Sequence, residues 1–224
     1  MGKAQNSLVY SKNSVEFVTV ANEYCKFIEA SEGLSQHTFV KLALRLLPLL
    51  YLKASLLEET IGDEQITNNE DDFGTETFVT EVEYYAIENS VKTKLSDYNE
   101  YPELFDNQSS STNETTLCFI SEDLADIYQD LKNFTQNYRN GIDEVMHDAI
   151  LEAAENFKIY WGQKLVNVSR ALHSIFYNGD LSQEIEEGIE DEIDEDEEDD
   201  VRRAKASGWL KDRFADKNDD PFAI

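Results

Sequence analysis

The residues whose types and spacing come nearest to doing chemistry are Glu144 and His147, in Glu144-Val-Met-His147. A Glu-x-x-His pair sets a carboxylate and an imidazole on one helical face. Di-iron carboxylate bundles use two such pairs plus a Glu from each of two further helices. Here the pair occurs once, because His37 has Leu34 three residues before it and His173 has Arg170. Glu144 and His147 are therefore half a ligand set, and a solvent-facing Glu and His near a helix start is the plainer reading. Nucleophile chemistry has as little support. Cys25 lies between Tyr24 and Lys26, with His37 the nearest histidine in sequence, and reads as a half-buried structural thiol. The nine glycines form neither GxGxxG nor GxxxxGK[ST], so no phosphate cradle is expected. No catalytic residue and no cofactor is assigned.

A different chemistry, that of binding, is concentrated near the C-terminus. Residues 184–200 hold thirteen carboxylates and no cation, and nine of the ten residues 191–200 are acidic. Self-repulsion should keep such a run extended and solvated. The segment VRRAKASGWLKDRF follows, and residues 201–217 carry six cations with the apolar trio Trp209, Leu210 and Phe214. Aromatic residues and Arg dominate binding hot spots, so Arg202, Arg203, Lys205, Trp209, Leu210 and Phe214 are the candidate partner-binding residues. Three outcomes are open: the segment docks on its own acidic body, engages a protein partner, or stays disordered.

The charge around these features limits what the body can do. Residues 1–183 hold 13 basic and 30 acidic side chains, net −17, within a chain of formal charge −28. Such a body repels nucleic-acid phosphates, whose binding depends on Lys and Arg. Cys25 and Cys118 are the two cysteines. They stand in no metal-ligand spacing and suggest reduced thiols in a cytoplasmic protein. The N-terminal MGKAQNSLVYSKNS lacks the apolar core of a signal peptide. FVKLALRLLPLLYLKASLL is interrupted by Lys41, Arg45, Pro48 and Lys53, and its longest apolar run is seven residues, against the ~20 a membrane span needs. It reads as a buried helix, and no membrane association is expected.

The elements that must position these residues are helical. Asn13 or Ser14 is the expected cap of a first helix, with Glu16 completing a capping box from Asn13. Phe17, Val20, Ala21, Tyr24, Phe27 and Ile28 form its inward face, and Gly33 ends it. Ser35 caps a second helix, apolar nearly all round as a central element would be, which Pro48 should kink or split. Residues 58–77 read as an exposed loop. A third helix would turn Phe78, Val82, Tyr85, Ala86, Val91 and Leu95 inward. Tyr84, Tyr98 and Tyr101 are the tyrosines expected at the surface. Pro102 discourages helix in SDYNEYPELFD, and DNQSSSTNETT reads as loop. Ser121 caps a fourth helix with Leu124, Ile127, Tyr128, Leu131, Phe134 and Tyr138 inward, and Asn140-Gly141 stops it. A helical pattern of 36 residues then runs over 142–177, about 54 Å long, with Gly162 as a break point. The expected fold is all-α: a bundle of about five helices with a long C-terminal helix or broken helix pair, followed by an acidic tail. The boundaries are 1–182 for the bundle, 183–200 for the acidic linker and 201–224 for the basic-aromatic segment.

SVEFVTVANEYCKFIE, the YPELFD segment and the paired helices after Ser121 together resemble an uncharacterised bacterial family, a numbered domain of unknown function (fifty sixty-three), over about residues 10–180. The resemblance implies no activity, cofactor or catalytic residue. Through a neighbouring gene for a 3′–5′ exonuclease-like protein, it implies an association with nucleic-acid processing. The functional expectation is a non-enzymatic protein–protein interaction module. The alternatives are an acidic regulator that mimics nucleic acid on a processing enzyme, and a metal-dependent helical enzyme. Oligomeric state has no signature in the sequence.

Overall fold

The computed structural model describes residues 8–61, 75–105 and 114–178. The acidic linker, the basic-aromatic segment and the boundary at residue 182 lie outside the described residues. Helices α1 (Lys12–Glu29), α2 (Gln36–Ile61) and α3 (Glu81–Leu95) come first. A hairpin of β1 (Glu100–Phe105) and β2 (Glu114–Phe119) follows. Then come α4 (Ile120–Arg139), α5 (Asp143–Asn156), a π-helical turn (Phe157–Trp161) and α6 (Gly162–Asn178). The fold is a helical bundle. Its α5–π–α6 rod is the long, broken C-terminal helix that the sequence predicts.

The centre is α4, which packs against α1, α3, α5 and α6. Leu124, Ile127, Tyr128, Leu131 and Phe134 recur at three- and four-residue steps and are all buried, with Tyr138 packed at the edge. The α1 stripe from Phe17 to Ile28 is buried as its spacing requires. Tyr24 closes the contact by donating its hydroxyl to the Leu124 carbonyl at 2.9 Å. Phe17 stacks near Phe134 and Trp161, with ring centroids 4.9 and 6.5 Å away. The second helix is not the central one. Arg45, Pro48, Tyr51 and Leu52 of α2 face outward, and α2 runs through Pro48 as one helix. Pro48 sits on the exposed side, where water can satisfy the carbonyl its missing N–H leaves unpaired. The helix also continues through residues 58–61, which the sequence assigns to a loop.

Several ends differ from their sequence expectation. Ser11, rather than Asn13 or Ser14, caps α1 by accepting from the Ser14 amide. Glu16 instead pairs with Lys53 Nζ at 2.7 Å, across to α2. Ser35 caps α2 as expected, accepting from the Thr38 amide at 3.2 Å. Gly141, at φ 79°, follows the last residues of α4, as Asn140-Gly141 implies. Thr80 and Glu83 form a reciprocal capping box on α3, a signal written in the sequence as T-x-x-E.

The inward face of α3 is corrected. Val91 and Leu95 are buried, but Val82 is 79% exposed, Tyr85 51% and Phe78 40%. At 100° per residue, Val82 and Val91 lie on opposite sides of one helix, so the six residues could not share a face. Before α3, residues 76–79 run along α4. Asn137 Oδ1 accepts from the Glu76 amide at 2.9 Å, and Asn133 Oδ1 accepts from Phe78 and Val79 at 2.8 and 3.0 Å.

Candidate functional site

The strongest concentration of polar chemistry is a row of carboxylates on α4. Asp123, Asp126 and Asp130 follow one another at spacings of three and four, so they share one strip of the helix. Neighbouring elements converge on this strip. From β1, Tyr101 donates to Asp123 Oδ2 at 2.5 Å. From α3, Tyr84 donates to Asp126 Oδ1 at 2.8 Å. From α6, Lys164 Nζ reaches Asp123 Oδ1 at 2.7 Å and Asp126 Oδ2 at 2.8 Å. The same ammonium lies 5.4 Å from the centroid of the Tyr160 ring, whose hydroxyl is pushed up by burial and by nearby Asp126. Asn156 of α5 donates to Asp130 Oδ1 at 2.8 Å.

Local geometry explains how the chain supplies these groups. The α5–α6 rod passes through the π turn, which brings Trp161 into the core and leaves Tyr160 half-exposed. Gly162 follows directly because a Cβ there would lie 2.3 Å from the Phe157 carbonyl oxygen. The expected break at this glycine is thus a change of helical winding rather than a chain reversal. The buried Trp161 indole N–H has no hydrogen-bond partner among the described residues.

The hairpin supplies the other wall. Its register places Tyr101 opposite Cys118 and Glu103 opposite Thr116, so Tyr101, Glu103 and Cys118 share a face. Glu103 accepts from Asn167 at 2.6 Å and from the Cys118 thiol at 3.4 Å. Arg170 donates to the Pro102 carbonyl at 3.1 Å. Asn99 fastens the hairpin to α4: its Oδ1 accepts from the Ser121 amide at 2.9 Å and its Nδ2 donates to Ser121 Oγ at 3.0 Å. Ser121 is therefore inside the first turn of α4 rather than its cap, and Asn99 provides the capping oxygen from a distance.

The electrostatics keep protons in place. Burial, then the Asp123 hydrogen bond, pushes the Tyr101 hydroxyl well up. Burial, the Asp126 bond and the charges of Asp126, Glu122 and Glu88 do the same to Tyr84. Burial acts to lower Lys164, but its bonds to Asp123 and Asp126 outweigh this and hold it as the cation. Burial pushes Cys118 up to about 11, helped by Glu103, and pushes the Cys25 thiol up further. Asp130 rises to about 6, chiefly by burial and despite the Asn156 bond, with Glu152 and Asp126 adding to the rise. Neither thiol nor Lys164 is in its nucleophilic form at neutral pH. What remains is a largely buried aspartate row, neutralised in part by Lys164 and closed by tyrosine hydroxyls, with Glu122 exposed beside it.

This architecture also occurs in a protein solved independently. The crystal structure of a Bacteroides fragilis protein, determined as a structural-genomics target, matches at 42% identity and a TM-score of 0.61. The match covers 75% of this chain and 94% of that one. A family model, "Domain of unknown function (DUF5063)", matches residues 8–178. The chain belongs to the DUF5063 family. Among curated proteins, none matches it. The family match agrees with the resemblance read from the first helix, YPELFD and the helices after Ser121.

The residues that the sequence singles out are dispersed in this DUF5063 chain. Glu144 is exposed near the start of α5, and His147 is half-buried with Nδ1 3.3 Å from Asp148 Oδ1. Among the described residues no group of three or more His, Cys, Asp or Glu is disposed to hold a metal ion. Cys25 is buried rather than half-buried, and both cysteines are free thiols. Tyr101 is buried, contrary to expectation, Tyr84 and Tyr98 are half-buried, and Tyr85, expected inward, is exposed. Among the described residues no helix is long and apolar enough to cross a membrane. Arg202, Arg203, Lys205, Trp209, Leu210 and Phe214 lie outside the described residues. The aspartate row was legible as a DxxDxxxD spacing beside the apolar stripe of α4, a signal the sequence reading passed over.

Proposed function

We propose that this DUF5063 chain is a cytoplasmic, non-enzymatic protein–protein interaction module that engages a protein partner through residues 201–217. The observation that carries the reading is the composition of that segment. Trp209, Leu210 and Phe214 stand among six cations, after thirteen carboxylates in seventeen residues. The apolar trio supplies buried contact, and Arg202, Arg203 and Lys205 add electrostatic steering. The acidic run is the tether. The body supports the reading as a scaffold, since Lys164 and both thiols sit in unreactive protonation states. The test is affinity capture from the native cell with the full chain beside a truncation after Ser182. A partner present with the first and absent with the second is the expected result.

A second reading has its own observation. Extended at about 3.3–3.6 Å per residue, the run 184–200 would carry one negative charge per ~4.5 Å, near the 3.4 Å of a nucleic-acid strand. As a phosphate mimic it would occupy the basic channel of a nucleic-acid-processing enzyme. A peptide of residues 184–200 would then compete with DNA or RNA for the captured enzyme.

A further inference from the structure

We propose that the outward apolar stripe of α3, with Glu81, Glu88 and Glu122 beside it, receives this chain's own segment 201–217. The stripe consists of Val82 and Tyr85 of α3 with Phe78 from the segment leading into it, and these three are exposed among the described residues. Val82 and Tyr85 are three residues apart and share one edge of the helix. The Tyr85 ring meets Tyr84 edge-on at 5.5 Å, and Tyr84 in turn reaches Asp126. The apolar stripe therefore runs into the carboxylate row.

Charge complementarity selects the occupant. Glu88, Glu122 and Asp126 all bear electrostatically on Tyr84, while Glu152 and Asp126 bear on Asp130 further along. Lys164 is the cation paired into this row. Segment 201–217 brings six cations against Asp212 and Asp216, interleaved with Trp209, Leu210 and Phe214. Its arginines and lysines match the exposed Glu81 and Glu122, the half-buried Glu88 and the exposed Tyr85 ring, and its apolar trio matches the Phe78–Val82–Tyr85 stripe. The neighbouring run 184–200 can neutralise the cations but carries three apolar side chains, Ile185, Ile189 and Ile193, and no aromatic face.

Chain length permits the contact. The helix α6 carries the chain about 25 Å from the π turn to Asn178 at 1.5 Å per residue. Residues 179–200 form a 22-residue connection, whose root-mean-square span is about 23–28 Å even without charge repulsion. A tether matched to its span gives an effective concentration of about 1 mM, so a contact of only ~0.1 mM affinity would be about 90% closed. The closed form would mask the anchors that a partner must capture. That consequence rests on the proposed interaction role; the docking itself does not.

Acrylamide quenching of the full chain tests the contact. Trp161 and Trp209 are its two tryptophans, and Trp161 is fully buried, so accessible emission reports Trp209, with Trp209→Phe as the blank. The expected result is an accessible Trp209 fraction about tenfold below that of a Val82→Glu/Tyr85→Glu variant. Both substituted side chains are exposed, and circular dichroism checks that the fold survives. An Arg202→Glu/Arg203→Glu variant should release Trp209 as well. Equal quenching in wild type and the α3 variant would overturn the proposal, as would protection that persists in that variant or grows with protein concentration. Capture lost on Trp209→Ala while Trp209 is freely quenched would sink the docking and leave the interaction role standing. Protected Trp209, with capture unaffected by truncation, would do the reverse.

Discussion

The ammonium of Lys164 lies 2.7 Å from Asp123 Oδ1, joining α6 to a carboxylate that is almost wholly buried on α4. Asp126 completes the arrangement from the next turn, at 2.8 Å. Removing the cation alone leaves two carboxylates poorly solvated, and this usually costs more than the pair itself contributes. Lys164→Met should therefore destabilise the fold by about 2–4 kcal/mol. Adding Asp123→Asn and Asp126→Asn should recover most of that loss. Urea denaturation of the cycle measures the coupling, and additive single effects would show that the three groups act independently.

Gly162 offers a prediction opposite to helix propensity. In an ordinary helix, glycine to alanine stabilises by up to ~1 kcal/mol. Here the new Cβ would lie 2.3 Å from a backbone oxygen and 2.9 Å from the Phe157 ring. Gly162→Ala should cost about 1–3 kcal/mol through overpacking and lower the melting temperature. A raised melting temperature would mean that the π turn relaxes to regular helix without loss.

Asp130 sets a pH dependence of definite sign. Its carboxyl rises from the usual 3.8 to about 6 in the folded chain, mainly by burial. The folded state thus holds the proton more tightly than the unfolded state. Stability from this group is fully present below about pH 4 and is lost as pH rises through about 6, by roughly 1–3 kcal/mol in total. Asp130→Asn removes the penalty, so the variant should gain on wild type at pH 7.5 and show little advantage near pH 4. Glu16 and Glu83 are lowered instead, by the Lys53 and Thr80 hydrogen bonds, and act in the opposite sense. The wild-type-minus-variant difference isolates Asp130. A difference that does not change with pH would contradict the assignment.

How far the sequence could be read depended on whether burial was apolar. The stripes of α1 and α4 are long and regular in aliphatic and aromatic residues, and the structure buries them as spaced, with Tyr138 at the edge. The hairpin is hard to read because its inward face mixes Tyr101 and Cys118, which pack on the core, with Glu103, which meets Asn167. Such a strand shows no apolar alternation. The α3 face is not legible from its apolar residues alone, because Val82 and Val91 stand on opposite sides of the helix. The cap of α4 was invisible locally, since Asn99 provides it from 22 residues away. The aspartate row needed only its own spacing to be seen; the tyrosines and lysine that complete it come from separate elements.

The interaction role itself turns on Trp209. The decisive measurement is capture of the native partner by the full chain, by Trp209→Ala and by Lys205→Ala, each at about 50 and 500 mM salt, across which screening shortens several-fold. An anchoring Trp is worth about 2 kcal/mol or more, so Trp209→Ala should weaken capture at least about 30-fold. Lys205→Ala should weaken it only a few-fold, and salt should weaken all three chains. A partner held equally well by Trp209→Ala and indifferent to salt would contradict the account, and would move the function from the C-terminal segment to the helical body.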